Sequence, residues 1–387
     1  MFKTRKNLLI ILYASAPLAF SVWQVLLNNF VIEQASFTGK EIGFLQSIRE
    51  IPGFLAFTVV FVLYFVRQQT FSLFSLVLMG VGTAVVGFFP SHLGLYLTTV
   101  IMSIGFHYLE TIQQSLSLQW LSKEEAPEFF GKLISYKSFI SLFAFGGVYL
   151  MLSVFELGYT PIYMVGGGVT VLIGIVAWIK FPKFTEDVKQ HNKLILRKRY
   201  WLYYSLTFLS GARRQIFVVF AGFLLVEKFN YSVEHITLLF LLNCLLNIWV
   251  APLIGKMISK LGERKVLTFE YIGLIIIFIN YAFVDSEWLA AGLYLLDHLF
   301  FSLAIAMKTY FQKIADPKDI SSTMGVSFSI NHIAAIILPA LLGLIWLESP
   351  KLVFLVGAGF AFLSLLLSRL VPENPQEGFE TTLVKSK

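Results

Sequence analysis

The chain has 387 residues, of which 57% are hydrophobic and only 14% are charged, and its mean hydropathy is +0.75. A soluble domain of this size is not so apolar, so these values exclude a soluble enzyme and predict a membrane protein. The net charge of +7 does not indicate nucleic-acid binding, because the basic residues lie in short loops between apolar runs. The single cysteine, Cys244, excludes an internal disulfide and a cysteine-only metal site.

The N-terminal stretch "KTRKNLLIILYASA" has the charge pattern and small residues of a secretory signal peptide. The apolar run continues past Ala16 to about Val31, however, which is long enough to cross a bilayer. We therefore expect a first membrane span here and no cleaved leader.

Runs of about 20 mostly apolar residues predict membrane-spanning helices, and the chain contains a series of them. The predicted spans are twelve: 8–32, 42–66, 70–89, 93–119, 129–153, 160–181, 200–226, 235–258, 265–285, 288–311, 322–346 and 350–371. The predicted fold class is an all-α membrane protein.

The spans divide into two bundles of six, at 1–181 and 200–371, joined by a basic linker at 182–199 and followed by a tail at 372–387. Of the 30 Lys and Arg residues, 23 fall in segments on the side of both termini, three in the opposite loops and four within spans. Because basic residues stay in the cytoplasm, both termini are expected there.

The two bundles align with each other at an offset of about 193 residues. "FTGKEIGFL" after the first span corresponds to "YSVEHITLL" after the seventh, and "QWLSKEEAPEFFGKLISYKS" corresponds to "QKIADPKDISSTMGVSFSINH". Two separate stretches agree on this offset, which predicts two six-helix repeats of parallel orientation.

The loop "GKMISKLGERK" between the eighth and ninth spans resembles the signature loop of the major facilitator superfamily, G-x-x-x-D-x-x-G-R-[RK]. Gly255, Gly262, Arg264 and Lys265 fit that motif, whereas Ser259 replaces its acidic residue. The resemblance implies a secondary transporter of that family, with no cofactor and no enzymatic activity. It also implies that the four matching residues help to lock the cytoplasmic side, as gating residues.

Polar residues are concentrated in the spans that line or flank the central cavity in the family that the chain resembles. A polar residue within a span faces a cavity or another helix rather than lipid. The candidate substrate-binding residues are Gln24, Asn28, Arg213, Arg214, Asn243, Asn331 and His332.

The adjacent arginines Arg213 and Arg214 lie near the middle of the seventh span, about 100° apart around the helix. One interpretation is that an arginine binds an anionic group of the solute, because guanidinium pairs with a carboxylate or phosphate in a bidentate fork. The alternative is a buried ion pair with Glu50, Glu110 or Asp297.

Proton coupling is the second hypothesis for the charged residues. His107 and Glu110 are three residues apart and share a helix face, and Asp297 with His298 in the tenth span forms a second candidate pair. The alternative for His107 and Glu110 is an ordinary interhelical hydrogen bond.

Three further basic or acidic residues within spans leave their roles open. Arg49 and Glu50 precede Pro52 and are interpreted as a gate or as a simple ion pair. Lys137 either extends to the cytoplasmic interface or adds to a basic cavity. No metal site is predicted.

The leading hypothesis is therefore a secondary transporter of a small anionic or zwitterionic solute, because basic residues outnumber clear acidic ones within the spans. The alternatives are a proton-driven exporter of lipophilic compounds and, more remotely, a transporter-like sensor. Expected partners are the solute, the lipid bilayer and protons, without nucleic acid, and the expected state is a monomer in a bacterial inner membrane.

Overall fold

The computed structural model describes residues 3–37, 39–191, 193–231 and 233–383. Over these ranges the chain forms helices at the predicted places, in chain order. They are α1 (Arg5–Ala35), α2 (Gly39–Phe54, extended by Leu55–Thr58 and Val59–Val62), α3 (Gln68–Val85), α4 (His92–Trp120), α5 (Ala126–Ser153), α6 (Tyr159–Lys180), α7 (Lys198–Phe229), α8 (Val233–Leu261), α9 (Glu263–Phe283), α10 (Glu287–Ile314), α11 (Pro317–Glu348) and α12 (Pro350–Ser368).

Within the described ranges, eleven of these helices are long and apolar enough to cross a membrane. The remaining one, α4, is 29 residues long and so extends about 44 Å at 1.5 Å per residue, which suffices for a span. Its polar residues, such as Glu110 and Gln113, reduce its hydropathy. The predicted all-α membrane fold of twelve helices is confirmed.

Three helices lose regular α geometry next to charged residues in mid-span. In α7 a π-helical segment, Ile216–Ala221, directly follows the two arginines and Gln215. In α10 a 3-10 turn, Phe301–Ala304, follows Asp297 and His298 by a few residues, and in α2 another turn follows Pro52. Such interruptions are frequent at functional sites, because they redirect side chains around the helix.

The described chain separates into two compact units. The first comprises Met1–Leu121, Tyr136–Ile195 and Pro317–Ser329, and the second comprises Ser122–Ser135, Leu196–Asp316 and Ile330–Lys387. In each unit, particular helices pack closely against one another.

In the first unit α3 packs closely against α4 and α6 through glycines. A Cβ added at Gly82 would lie 2.4 Å from the Met102 backbone nitrogen, and one at Gly167 would lie 2.3 Å from the Ala84 nitrogen. These backbones can approach so closely only because both positions lack a side chain.

In the second unit α9 packs on α12, where the rings of Tyr281 and Phe354 stack at 5.0 Å between centroids. This packing brings the polar face of α9 against α7 and α12, which decides where the charged residues of α7 find partners.

The linker between α6 and α7 is held against the first unit. The Arg5 guanidinium donates to the Asp187 carboxylate, and this contact lowers the pKa of Asp187. Farther along, His191 Nδ1 lies 2.9 Å from Asp319 Oδ1, and Gln190 Nε2 donates to the Pro317 carbonyl at 2.8 Å. The linker therefore contacts both α1 and the first turn of α11.

Candidate functional site

The Arg213 side chain is almost completely buried, at 4% exposure, among α7, α9 and α12 of the second unit. Its guanidinium lies 4.6 Å from the Tyr271 ring centroid and donates a hydrogen bond to Ser364 Oγ. Its Nη2 atom is 3.6 Å from Glu270 Oε1. The predicted alternative of a buried ion pair is therefore observed, but the partner is Glu270 and not Glu50, Glu110 or Asp297.

Asp297 on α10 lies beside this ion pair, around a cavity of about 20 Å³ that Arg213, Arg214, Glu270 and Asp297 line. Asp297 is 1% exposed and Glu270 is 4% exposed. Neither oxygen of Asp297, nor Glu270 Oε2, nor Arg213 Nε has a hydrogen-bond partner among the described residues. A cavity of this size holds about one water molecule, and polar atoms surround it.

Sequence reasoning missed Glu270 as a member of this cluster. The residue lies only seven positions after the start of α9, near one end of the predicted span. The depth at which it meets Arg213 depends on how α9 packs on α7, which no local pattern encodes.

Arg214 has a different environment from its neighbour. It is half-buried, it lies in the middle of α7, and it makes no hydrogen bond or ion pair within the described residues. A partly exposed guanidinium in the middle of a spanning helix requires water or a polar ligand, because contact with lipid costs at least about 2.5 kcal/mol.

His298 is enclosed by aromatic rings next to the irregular segments of α7 and α10. Its ring centroid lies 4.6 Å from that of Tyr294, 4.8 Å from Phe217 in the π-helical segment and 5.7 Å from Phe301. Its Nδ1 atom is 3.0 Å from the Tyr294 carbonyl. This hydrogen bond within one helix fixes the ring in the aromatic shell.

In the first unit, Arg49 and Glu50 form an ion pair through Arg49 Nη2 and Glu50 Oε1. The Arg49 guanidinium also lies 5.7 Å from the Trp23 ring centroid. His107 Nε2 is 3.9 Å from Glu50 Oε2, and His107 Nδ1 is 3.0 Å from Ser103 Oγ. The ion-pair interpretation of Arg49 and Glu50 is confirmed, and their role as a gate stays a prediction.

Glu110 on α4 pairs with Lys137 on α5. Lys137 Nζ donates to Glu110 Oε1 at 3.2 Å, and both side chains are partly exposed. The role of His107 and Glu110 in proton coupling stays a prediction. Lys137 is thus directed to a carboxylate on α4, which neither interpretation from the sequence included.

The uncharged candidates have three kinds of environment. Gln24 and Asn28 are exposed one turn apart on α1, while His332 is buried in α11. Asn331 Nδ2 donates to the Thr207 carbonyl at 3.3 Å. Asn243 is buried, and neither its amide nitrogen nor its amide oxygen has a partner among the described residues.

The loop between α8 and α9 has the tight geometry that its sequence predicts. Gly262 has φ +80° and ψ 161°, a conformation that is essentially restricted to glycine. A Cβ at Gly255 would lie 2.5 Å from the Pro127 carbonyl oxygen. Arg264 Nη1 lies 3.8 Å from Glu373 Oε1 of the tail, whereas Lys265 is exposed.

Glu263 in the same loop is a further residue that sequence reasoning did not select. Its carboxylate is buried at 1% exposure and lies 2.7 Å from Lys313 Nζ at the end of α10. The pair connects two helix ends of the second unit.

Comparison with known proteins agrees with this fold. The family model of the major facilitator superfamily matches residues 203–385. No curated protein matches the chain. The human organic anion transporter MFSD10 (TETRAN) is similar in structure, with a TM-score of 0.77, 14% identity, and coverage of 94% of this chain and 98% of that one.

Two bacterial structures are also similar. A bacterial homologue of the iron transporter ferroportin has a TM-score of 0.71 and 16% identity, over 94% of this chain and 98% of that one. The Escherichia coli fucose:proton symporter FucP has a TM-score of 0.73 and 13% identity, over 94% and 97%. At these identities the likeness concerns the fold alone.

The helices, the match of the C-terminal half and the fold of nearly the whole length define a multi-pass integral membrane protein with a transporter fold. Residues 203–385 thus match the major facilitator superfamily, whose signature loop the chain resembles, and nearly the whole chain has the fold of the solved transporters.

Proposed function

We propose that the chain is a secondary active transporter that moves a small anionic or zwitterionic solute by alternating access, with Arg214 as the ligand of the anionic group. The observation that carries this proposal is the difference between Arg214 and the other basic residues of the spans. Arg49 pairs with Glu50, Lys137 pairs with Glu110, and Arg213 pairs with Glu270. Arg214 has no such partner within the described residues.

A mid-span arginine without a protein partner is costly to retain unless it binds something. Its planar guanidinium offers two parallel N–H donors to a carboxylate or phosphate. The partial exposure of Arg214 leaves these donors accessible, whereas Arg213 already uses its donors on Ser364 and Glu270. We therefore assign the solute to Arg214, and we assign Arg213 a role as a fixed counter-charge.

Of the uncharged candidates, Asn243, Asn331 and His332 belong to the unit that contains Arg214, whereas Gln24 and Asn28 belong to the first unit and stay separate candidates there. Gln24 and Asn28 lie on one face of α1 with their side chains exposed. Within the described part of the chain, the amide nitrogen and oxygen of Asn243 have no partner. The description of MFSD10 as an organic anion transporter supports the same class of solute. We further propose proton coupling, with Asp297 as the carrier and with Glu110, His107 and His298 as the other candidates.

The proposal is tested by thermal unfolding of the purified protein in detergent, with a panel of monocarboxylates, dicarboxylates, phosphate esters and lipophilic cations. A ligand that binds only the folded state stabilises it, by about 2.7 kcal/mol at a hundredfold excess over its Kd. We expect at least one anion to raise the Tm of the wild type. We expect no such rise in Arg214→Gln and a reduced rise in Arg214→Lys, which keeps the charge but not the fork.

Arg369→Gln is the matched control, because Arg369 is an exposed arginine at the end of α12. It should respond to anions like the wild type. Stabilisation by lipophilic cations alone, equal in all variants, would overturn the proposal and favour an exporter of lipophilic compounds.

A further inference from the structure

The second unit contains a buried carboxamide that the described residues leave without a hydrogen bond. Asn243 on α8 is 4% exposed, and neither its amide nitrogen nor its amide oxygen has a partner within those residues. A buried polar group without a partner is unfavourable, so such groups are rare in folded proteins. The amide therefore offers one donor and one acceptor, side by side, to a molecule that reaches it.

The neighbours of Asn243 along α8 show which surface it faces. Phe240, one turn earlier, has its ring centroid 6.0 Å from that of His298 on α10. Asn247, one turn later, accepts a hydrogen bond from Ser302 Oγ at 2.9 Å. Because residues three and four apart share a helix face, Asn243 faces α10 between His298 and Ser302, where α10 changes to 3-10 geometry.

Aromatic rings connect this part of α10 with Arg214. Phe301 lines the same small cavity as Arg214, and its ring centroid lies 5.7 Å from that of His298. His298 in turn contacts Phe240, one turn before Asn243. The rings of Phe240, His298 and Phe301 are each partly exposed. They form an aromatic wall only two ring contacts long, which suits a solute with a single ring.

We infer that Asn243 and this aromatic wall recognise the uncharged part of the solute as a planar heterocycle that has a hydrogen-bond donor and an acceptor adjacent on one edge. The N–H and C=O groups of a pyrimidine or lactam ring form such an edge. A carboxamide pairs with it through two parallel hydrogen bonds, as asparagine does with the edge of adenine in DNA recognition.

The chemistry of both parts of the site supports this class of solute. A lone hydroxyl or carbonyl would leave one of the two amide atoms of Asn243 unpaired, at a cost in free energy. The aromatic wall offers flat ring surfaces, against which a heterocycle packs favourably. The anionic end of the solute lies at Arg214, and this step rests on the proposed function. The expected solute is therefore a heterocyclic carboxylate.

The test measures Kd values from the rise in Tm of the purified wild type with increasing ligand concentration. Orotate has a ring carboxylate and adjacent N–H and C=O groups, and in 1,3-dimethylorotate both N–H donors are replaced. Benzoate has only the ring and the carboxylate, and uracil lacks the carboxylate. We expect orotate to bind roughly 5- to 150-fold more tightly than dimethylorotate or benzoate, because a bidentate pair with asparagine discriminates by about this factor.

Asn243→Leu removes the carboxamide and keeps the approximate size of the side chain. Its Kd for orotate should rise by the same factor, its Kd for benzoate should not change, and its ligand-free Tm should not fall, because no hydrogen bond is lost. Asn280→Leu is the matched control, because Asn280 lies on α9 of the same unit and donates to the Ile276 carbonyl at 2.8 Å. It should keep the wild-type Kd for both compounds.

Several results would overturn the inference. Equal affinity of the wild type for orotate, dimethylorotate and benzoate would do so without any variant, as would the absence of a rise in Tm with both orotate and uracil. An unchanged preference for orotate in Asn243→Leu would also contradict it. A lower ligand-free Tm of Asn243→Leu, without any preference for orotate in the wild type, would assign the amide to a buried structural water.

Failure of the proposed function gives a different pattern. If uracil and orotate bind equally well, and Arg214→Gln changes neither Kd, then Arg214 binds no anion while the heterocycle site at Asn243 stands. If all carboxylates bind alike and Arg214→Gln abolishes their binding, the proposed function stands and the heterocycle site is wrong.

Discussion

Replacing Arg213 with glutamine should destabilise the protein strongly at neutral pH. The substitution removes the ion pair with Glu270, the hydrogen bond to Ser364 and the contact with the Tyr271 ring. It also leaves the Glu270 and Asp297 carboxyls without a buried counter-charge. Breaking a buried ion pair by removing one partner typically costs about 3–5 kcal/mol.

The expected loss of stability can be expressed as a decrease in Tm, the midpoint of thermal unfolding. In chains of several hundred residues, 1 kcal/mol corresponds to about 2–4 °C in Tm, so the expected loss is about 6–20 °C. The double variant Arg213→Gln/Glu270→Gln should recover a large part of it, because one uncompensated carboxyl is removed together with the arginine. The loss should also diminish at acidic pH, where the remaining carboxyls are protonated.

The assay is thermal unfolding in detergent, followed by tryptophan fluorescence, for the single variants and the double variant. Arg264→Gln is the control, because Arg264 pairs with Glu373, which is 73% exposed, at 3.8 Å. Such an exposed pair contributes only about 0–1 kcal/mol. The reasoning is refuted if Arg213→Gln is no less stable than Arg264→Gln, or if the double variant is no more stable than Arg213→Gln.

Three further substitutions have expected outcomes in the same assay. Gly262→Ala forces a side chain into a backbone conformation that costs about 1–3 kcal/mol, and its Tm should fall, whereas Gly146→Ala, with open space around it, should not. Lys137→Met should cost about 1 kcal/mol or less, because its pair with Glu110 is partly exposed; a loss as large as that of Arg213→Gln would contradict this. The pKa of Asp187 is lowered by Arg5, so its carboxylate adds a small stability at neutral pH that is lost as the pH falls below about 4. Asp187→Asn should lack this contribution at neutral pH. Equal acid sensitivity of the wild type and the variant would disprove it.

Much of the helical framework could be predicted from the sequence, because hydrophobic runs of about 20 residues and the distribution of Lys and Arg are strong local signals. The signature loop could also be recognised from the sequence, and its Gly262 has a positive φ that favours glycine. Helix α4 shows where the signal weakens, since its polar residues reduce the apolarity of an otherwise complete span.

The pairing of charges could not be predicted in the same way. Arg213 meets Glu270, 57 positions later, because α9 and α12 pack against α7 with a particular rotation. Successive residues on a helix point about 100° apart, so a rotation of the helix by that angle would bring a neighbouring residue to the same partner. Sequence periodicity does not specify how the helices are rotated against each other. It therefore identified two arginines in the middle of a span, but not which of them forms the ion pair with Glu270.

The central claim, that Arg214 binds an anion during transport, is tested most directly in proteoliposomes. Uptake of the radiolabelled anions that raise the Tm would be measured with and without an inward proton gradient, for wild type, Arg214→Gln and Arg369→Gln. The account predicts gradient-stimulated uptake by wild type and Arg369→Gln, and uptake reduced to the level of empty liposomes for Arg214→Gln. Equal uptake by Arg214→Gln and wild type would contradict it.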